Sequence, residues 1–135
     1  MSEGHIPAAQ PGNGPGSCRW AFSAGWIPPE STGHEPAFTS RDVLCLLNTD
    51  TGEACVEATV HHSDRDPVGP YRISVAAGRV KHVRLNDLID PEAVPLGEPY
   101  GLVLVSDVPV VAQLAHLDTR DGQRSGALLN GVPGD

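Results

Sequence analysis

Aromatic residues are scarce in this chain, with two each of Trp, Tyr and Phe, and sulfur is nearly as rare, with three Cys and one Met. Cys18, Cys45 and Cys55 form an odd set without CxxC spacing. That argues against a disulfide framework and reads as reduced thiols, small buried hydrophobes rather than reactive groups. No run approaches the roughly 18 uninterrupted apolar residues of a membrane helix, and the N-terminus lacks the basic-then-apolar layout of a secretion signal. The expected location is therefore the cytoplasm, with no membrane insertion. Helix-period segments of useful length are missing as well. So are the GxSxG elbow, the GxxxxGK[ST] phosphate loop and a GxGxxG that opens a helix. Enzymes built on those devices are excluded, and the expectation is a protein that binds rather than catalyses.

Positive charge is also in short supply: 9 Lys and Arg face 17 Asp and Glu, a net charge of −8, with a pI near 5.0. Such a molecule repels nucleic acid and anionic lipid as a whole. Arg79, Lys81, His82 and Arg84 form the one basic cluster, so any nucleic-acid binding is expected to be weak and lost as salt rises.

What the chain has in quantity is glycine and proline, 15 and 13 residues. Both punctuate regular structure, which points to many short elements joined by turns. Residues 1–16 lack apolar periodicity and read as a disordered tail. Residues 17–130 read as one domain, and 131–135 as a frayed end. Ser17 to Phe22 opens the structure, with Trp20 in the core, and the Pro-rich segment from Ala24 to Ser40 reads as a long loop carrying Trp26. Val43 to Asn48 is a buried strand that ends at the turn Thr49-Asp50-Thr51-Gly52. Val56, Ala58 and Val60 alternate with Glu57, Thr59 and His61, and Tyr71, Ile73 and Val75 alternate with Arg72 and Ser74, so both segments are half-wet strands. Ala77-Gly78 turns into Arg79 to Leu85, and the three segments from Cys55 to Leu85 read as a meander. Asn86 is placed to cap a short helical turn. Leu102 to Val105 and Val110 to Leu117 read as two buried strands of a hairpin around Asp107-Val108-Pro109. Ala127-Leu128-Leu129 is a last edge strand or an interface segment. The sum is an all-β protein, an antiparallel, jelly-roll-like β-sandwich of seven or eight short strands.

Several polar and aromatic residues are candidates for binding. His82 and Arg84 project to one side of a strand that ends in Asn86 and Asp87. They are either a grip for an anion, a sugar hydroxyl or a carboxylate, or simply a solvated sheet face. Gln113 lies within an apolar strand and meets either a ligand or neighbouring backbone. Arg120 pairs with Asp118, a contact that commonly fixes a turn. Trp26 and Tyr71 offer aromatic faces for a sugar or a protein partner. The six His (5, 34, 61, 62, 82 and 116) show neither HxxxH nor HExxH spacing, and His61 and His62 point to opposite faces of a strand. No metal or other cofactor is therefore expected, and a metal-dependent hydrolase is the least favoured reading.

Trp20-Ala21, Gly25-Trp26-Ile27-Pro28-Pro29, Phe38-Thr39-Ser40 and the continuous block SDRDPVGPYRISVAAGRVKHVRLNDL from Ser63 to Leu88 together resemble the sensory rhodopsin transducer family. Ser106-Asp107-Val108-Pro109-Val110-Val111 and Leu117-Asp118-Thr119-Arg120 are similar too, so the resemblance spans Cys18 to Leu129. It implies a β-sandwich subunit that forms a homotetramer and relays the state of a membrane photoreceptor, docking at its cytoplasmic face without catalysis. The alternative is a sensor of a small sugar-like ligand, a sugar or sugar phosphate.

Overall fold

The computed structural model describes residues 15–29, 40–120 and 125–134. Eight strands follow in order: β1 (Ser17–Trp26), β2 (Arg41–Asn48), β3 (Ala54–His62), β4 (Val68–Val75), β5 (Arg79–Arg84), β6 (Pro99–Asp118), β7 (Ser125–Asn130) and β8 (Val132–Gly134). One 3-10 turn, Leu85–Asp87, follows β5. All pairings are antiparallel, in agreement with the all-β sandwich expected from the alternation.

The architecture depends on β6. The apolar stretches read as two strands of a hairpin are one strand of 20 residues, which would run about 65 Å if straight. It bends instead. Its first arm pairs with β1 and β3, and its second with β2 and β7. Hydrogen bonding is thus continuous through all eight strands, but they fold into two layers, β4-β3-β6-β1-β8 and β5-β2-β6-β7. The corner lies at Asp107-Val108-Pro109, the residues that read as a hairpin turn. Side chains take over the backbone partners there: Asp107 Oδ1 accepts the Cys55 N–H at 2.8 Å, and the Trp20 indole donates to the Val110 carbonyl at 2.8 Å. Pro109 has no N–H to leave unpaired, so a strand can change layers at this point without orphaning a donor.

A second departure concerns β5. Ala77-Gly78 does reverse the chain, with Gly78 at φ +66°, where a side chain would be strained. Yet β5 does not extend a meander with β4; it pairs with β2 in the other layer. Lys81 reaches back across the gap and donates to the Ser74 carbonyl at 2.9 Å. Among the described residues both β4 and β5 have one edge without a strand partner, and Pro70 in β4 and the cations of β5 are the residue types that protect such edges.

The two inner faces share one core. It contains Leu44 and Leu46 from β2, Val56, Ala58 and Val60 from β3, Tyr71, Ile73 and Val75 from β4, and Leu102, Leu104, Val110, Ala112 and Leu114 from both arms of β6. Trp20 packs partly buried against it. Asn48 ends β2 in the core phase. Its amide donates to the carbonyls of Gly52 (2.9 Å) and Val75 (3.0 Å), and its oxygen accepts the Asp50 N–H at 2.9 Å. Asn48→Ala would strand these buried groups. An expected loss of about 2 kcal/mol, read from urea unfolding, tests that role; a change within error would refute it.

Four smaller expectations are corrected. Trp26 is the last residue of β1 rather than part of a loop. Asn86 does not cap the 3-10 turn but lies inside it, and the turn has no side-chain cap. None of the cysteines is fully buried: Cys18 and Cys45 are intermediate and Cys55 is exposed, because each falls on an outward strand phase or at a strand end. Residues 132–134, expected to fray, pair with β1 as β8. The tail expected to be disordered, apart from residues 15 and 16, and positions 30–39 of the expected long loop lie outside the described residues.

Candidate functional site

Because β6 folds back on itself, both of its ends reach the same end of the sandwich. Tyr100 and His116 stand symmetrically about Val108 in sequence, and both touch one carboxylate. Asp42 is fully buried, at 0% exposure. Tyr100 donates its hydroxyl to Asp42 Oδ2 at 2.5 Å, and His116 Nδ1 lies 2.6 Å from Oδ1. Burial in the first place, and the Asp42 charge in the second, push the Tyr100 phenol well above its ordinary range, so it acts here only as a donor. A carboxylate that accepts the Nδ1 proton fixes the ring orientation of His116 and leaves its other nitrogen for external groups. The His116 side chain is 22% exposed.

The same end carries two further groups. Ser40 Oγ and Thr119 Oγ1 are 3.0 Å apart, the Thr119 N–H donates to Ser40 Oγ at 2.9 Å, and the Asn86 amide donates to the Ser40 carbonyl at 3.1 Å. One residue further along, the Arg120 guanidinium grips Asp118, with Nε 3.0 Å from each carboxylate oxygen and NH2 2.6 Å from Oδ2, while its Cζ lies 5.0 Å from the centre of the Trp26 ring. Hydrogen bonds from Arg120 hold the Asp118 carboxyl below its ordinary pKa. The clamp's contribution to stability is therefore complete above 3.8, the ordinary value, and is lost as pH falls from there through the depressed folded-state value. Asp118→Asn is expected to cost about 1 kcal/mol at neutral pH and nothing in strong acid, a difference that urea titrations at the two pH values would read.

Trp26 and Arg120 thus meet at this end, and Asn86 is held to Ser40 beside Thr119. His82, Arg84 and Gln113 do not; they lie on the outer face of the β5-β2-β6-β7 layer. Strand register sets that face in rows: Val80, Leu47 and Val111; then His82, Cys45, Gln113 and Asn130; then Arg84, Val43, Ala115 and Leu128. Gln113 Nε2 donates to Asn130 Oδ1 at 3.1 Å, so a neighbouring strand satisfies it in part. Burial lifts the Cys45 thiol above its usual pKa, which makes it a poor nucleophile. Arg84 is 3.9 Å from the exposed Asp87 at the margin. Tyr71 presents no face to a ligand. It is buried, its hydroxyl donates to the Glu92 carbonyl at 2.7 Å, and burial raises its pKa.

Comparison with known proteins then places the chain. The family model described as Anabaena sensory rhodopsin transducer matches residues 15–131. The chain belongs to that family. A solved structure of an Anabaena sensory rhodopsin transducer is 47% identical, with a TM-score of 0.70, over 78% of this chain and 91% of that one. The crystal structure of Thermotoga maritima 1070 is 28% identical with a TM-score of 0.78, covering 89% of this chain and 97% of the other. No curated protein matches.

Sequence reasoning about this family member missed Asp42, Tyr100 and Ser40, and treated His116 only as one of six histidines. A signal was available: Asp42 shares the phase of Leu44 and Leu46, Tyr100 that of Leu102 and Leu104, and His116 that of Ala112 and Leu114. Polar groups in core phase must find partners, and here they find one another. Among the described residues no group of three or more His, Cys, Asp or Glu could hold a metal ion, and no helix is long and apolar enough to cross a membrane.

Proposed function

We propose that this chain is a cytoplasmic signal-relay protein that docks, as a homotetramer, on the cytoplasmic face of a membrane photoreceptor of the sensory rhodopsin type and performs no catalysis. The observation that carries this reading is the 47% identity to a sensory rhodopsin transducer across nearly all of that chain. Charge supports it: cytoplasmic loops of membrane proteins are rich in Lys and Arg, and this chain carries −8. Titration of the chain onto a sensory rhodopsin in lipid nanodiscs tests the reading. Saturable binding that weakens as salt rises is expected; no binding at low salt would overturn it.

The meeting of Trp26 and Arg120 favours a second reading, the small-ligand sensor. Trp26 and Arg120 combine an aromatic ring with a charged polar group, the chemistry that holds a sugar or sugar phosphate. A ligand that binds the native state raises its melting temperature with saturation. A sugar panel that leaves the transition unmoved would remove this reading.

A further inference from the structure

Among the described residues β5 pairs with β2 and with no other strand, so one row of its main-chain N–H and C=O groups is open. Three of the nine Lys and Arg residues of the chain, Arg79, Lys81 and Arg84, stand on β5 beside His82. Cations elsewhere are held by carboxylates: Arg65 by Asp64 and Glu98, Arg72 by Glu57 and Arg120 by Asp118. On β5 the partners are weaker. Arg79 donates to the Gly78 carbonyl at 3.3 Å and Lys81 to the Ser74 carbonyl at 2.9 Å, while the exposed Asp87 lies 3.9 Å from Arg84, beyond hydrogen-bond reach. We propose that this edge receives an extended acidic segment of a partner protein as an added strand.

Strand phase distributes the cations. Arg79 and Lys81 share one phase, and His82 and Arg84 the other, so a strand laid along the edge meets positive charge on both of its faces. Charges at an edge are the device by which a sheet refuses neutral and apolar strands, and a basic strand is refused by repulsion. Carboxylates turn the same charges into favourable cross-strand pairs, which makes the edge selective rather than closed. Val80, 61% exposed, adds an apolar contact between them. Nucleic acid is the poorer occupant. It offers no matching ladder of main-chain donors and acceptors, and the net charge of −8 repels a long polyanion more than a short peptide with few charges.

The end of β5 is incomplete as well. Arg84 Nε and, two residues on in the 3-10 turn, Asn86 Oδ1 are buried polar atoms without a hydrogen-bond partner. Asn86 spends its amide on the Ser40 carbonyl, so one donor and one acceptor remain. Buried groups left unpaired are costly, and a peptide unit carries the complement of both. The acidic bulk of the chain suits a basic receptor loop, whereas this edge suits the opposite charge and therefore a different partner. Binding here needs no photoreceptor, so it stands or falls apart from the relay reading.

Fluorescence anisotropy with a labelled short peptide of alternating Glu and Val tests the added strand. Saturable binding to the full chain is expected at low salt, weakening as salt rises. The same peptide N-methylated at every peptide nitrogen keeps its charge but donates nothing to a ladder, and is expected to bind at least about tenfold more weakly. Lys in place of each Glu should abolish binding. Arg79→Glu/Lys81→Glu, at two exposed positions, is expected to weaken binding of the Glu and Val peptide at least about tenfold while circular dichroism stays unchanged. Hydrogen exchange needs no variant: saturating peptide should slow the main-chain amides of β5 and leave those of β8 unchanged. No saturable binding, equal affinity for the N-methylated form, or protection that spares β5 would overturn the proposal. A DNA duplex that binds more tightly than the peptide and is lost in the double variant would overturn it too and hand the edge to nucleic acid.

Discussion

Asp42→Ala is expected to destabilise the fold by about 4 kcal/mol, a large fraction of the 5–15 kcal/mol typical of a whole domain. Asp42 is fully buried, and it accepts from the Tyr100 hydroxyl at 2.5 Å and from His116 at 2.6 Å. Its removal leaves a phenolic hydroxyl in the core without an acceptor, takes the partner from a half-buried imidazole, and opens a cavity between the layers. Tyr100→Phe removes one of these bonds and should cost about 1.5 kcal/mol. Combined, the two substitutions should cost clearly less than their sum, because Tyr100→Phe removes the donor that Asp42→Ala would strand. Urea unfolding of the four proteins gives the cycle. A loss below about 1 kcal/mol for Asp42→Ala would show that the carboxylate is not structurally required.

Gly25→Ala is the second large effect. A Cβ at Gly25 would lie 2.3 to 2.6 Å from three atoms of the Tyr100 ring, far inside van der Waals contact. A free tyrosine would swing aside at little cost. Tyr100 is not free: it is buried, and its hydroxyl is tied to Asp42. The ring therefore either breaks that bond or displaces β1, with an expected cost of about 3 kcal/mol. In a Tyr100→Leu background, where the ring is gone, the same methyl should be tolerated. Equal costs in both backgrounds would mean that the strain arises elsewhere.

The parts of the fold that were legible in the sequence are those governed by local alternation. Val56, Ala58 and Val60, like Tyr71, Ile73 and Val75, are buried in the phase that their spacing demanded, since a sheet with one wet face leaves no other choice. The corner of β6 was illegible for a physical reason: Asp and Pro are the residues of a tight turn and equally those of a strand that leaves its ladder. What separates the two cases is the bond from the Cys55 N–H to Asp107, made with a residue distant in sequence. For β5 the difficulty was similar. Ala77-Gly78 specifies a reversal, but the pairing of Leu44 with Val83 across the other layer decides where the chain goes.

Candidate binding residues were harder. His82, Arg84 and Gln113 reached a common face because strand phase is local information, and Trp26 met Arg120 only because β6 returns to its own starting end. Asp42 was overlooked because an acid beside an apolar run reads as the strand's solvated entrance. Its burial follows from two partners that lie 58 and 74 residues away along the chain.

The single long strand also governs how this protein comes apart. Since β6 is a covalent member of both layers, neither layer can melt while the other keeps its full ladder. Heat or denaturant must dismantle them together, so the calorimetric and van't Hoff enthalpies of the chain should coincide.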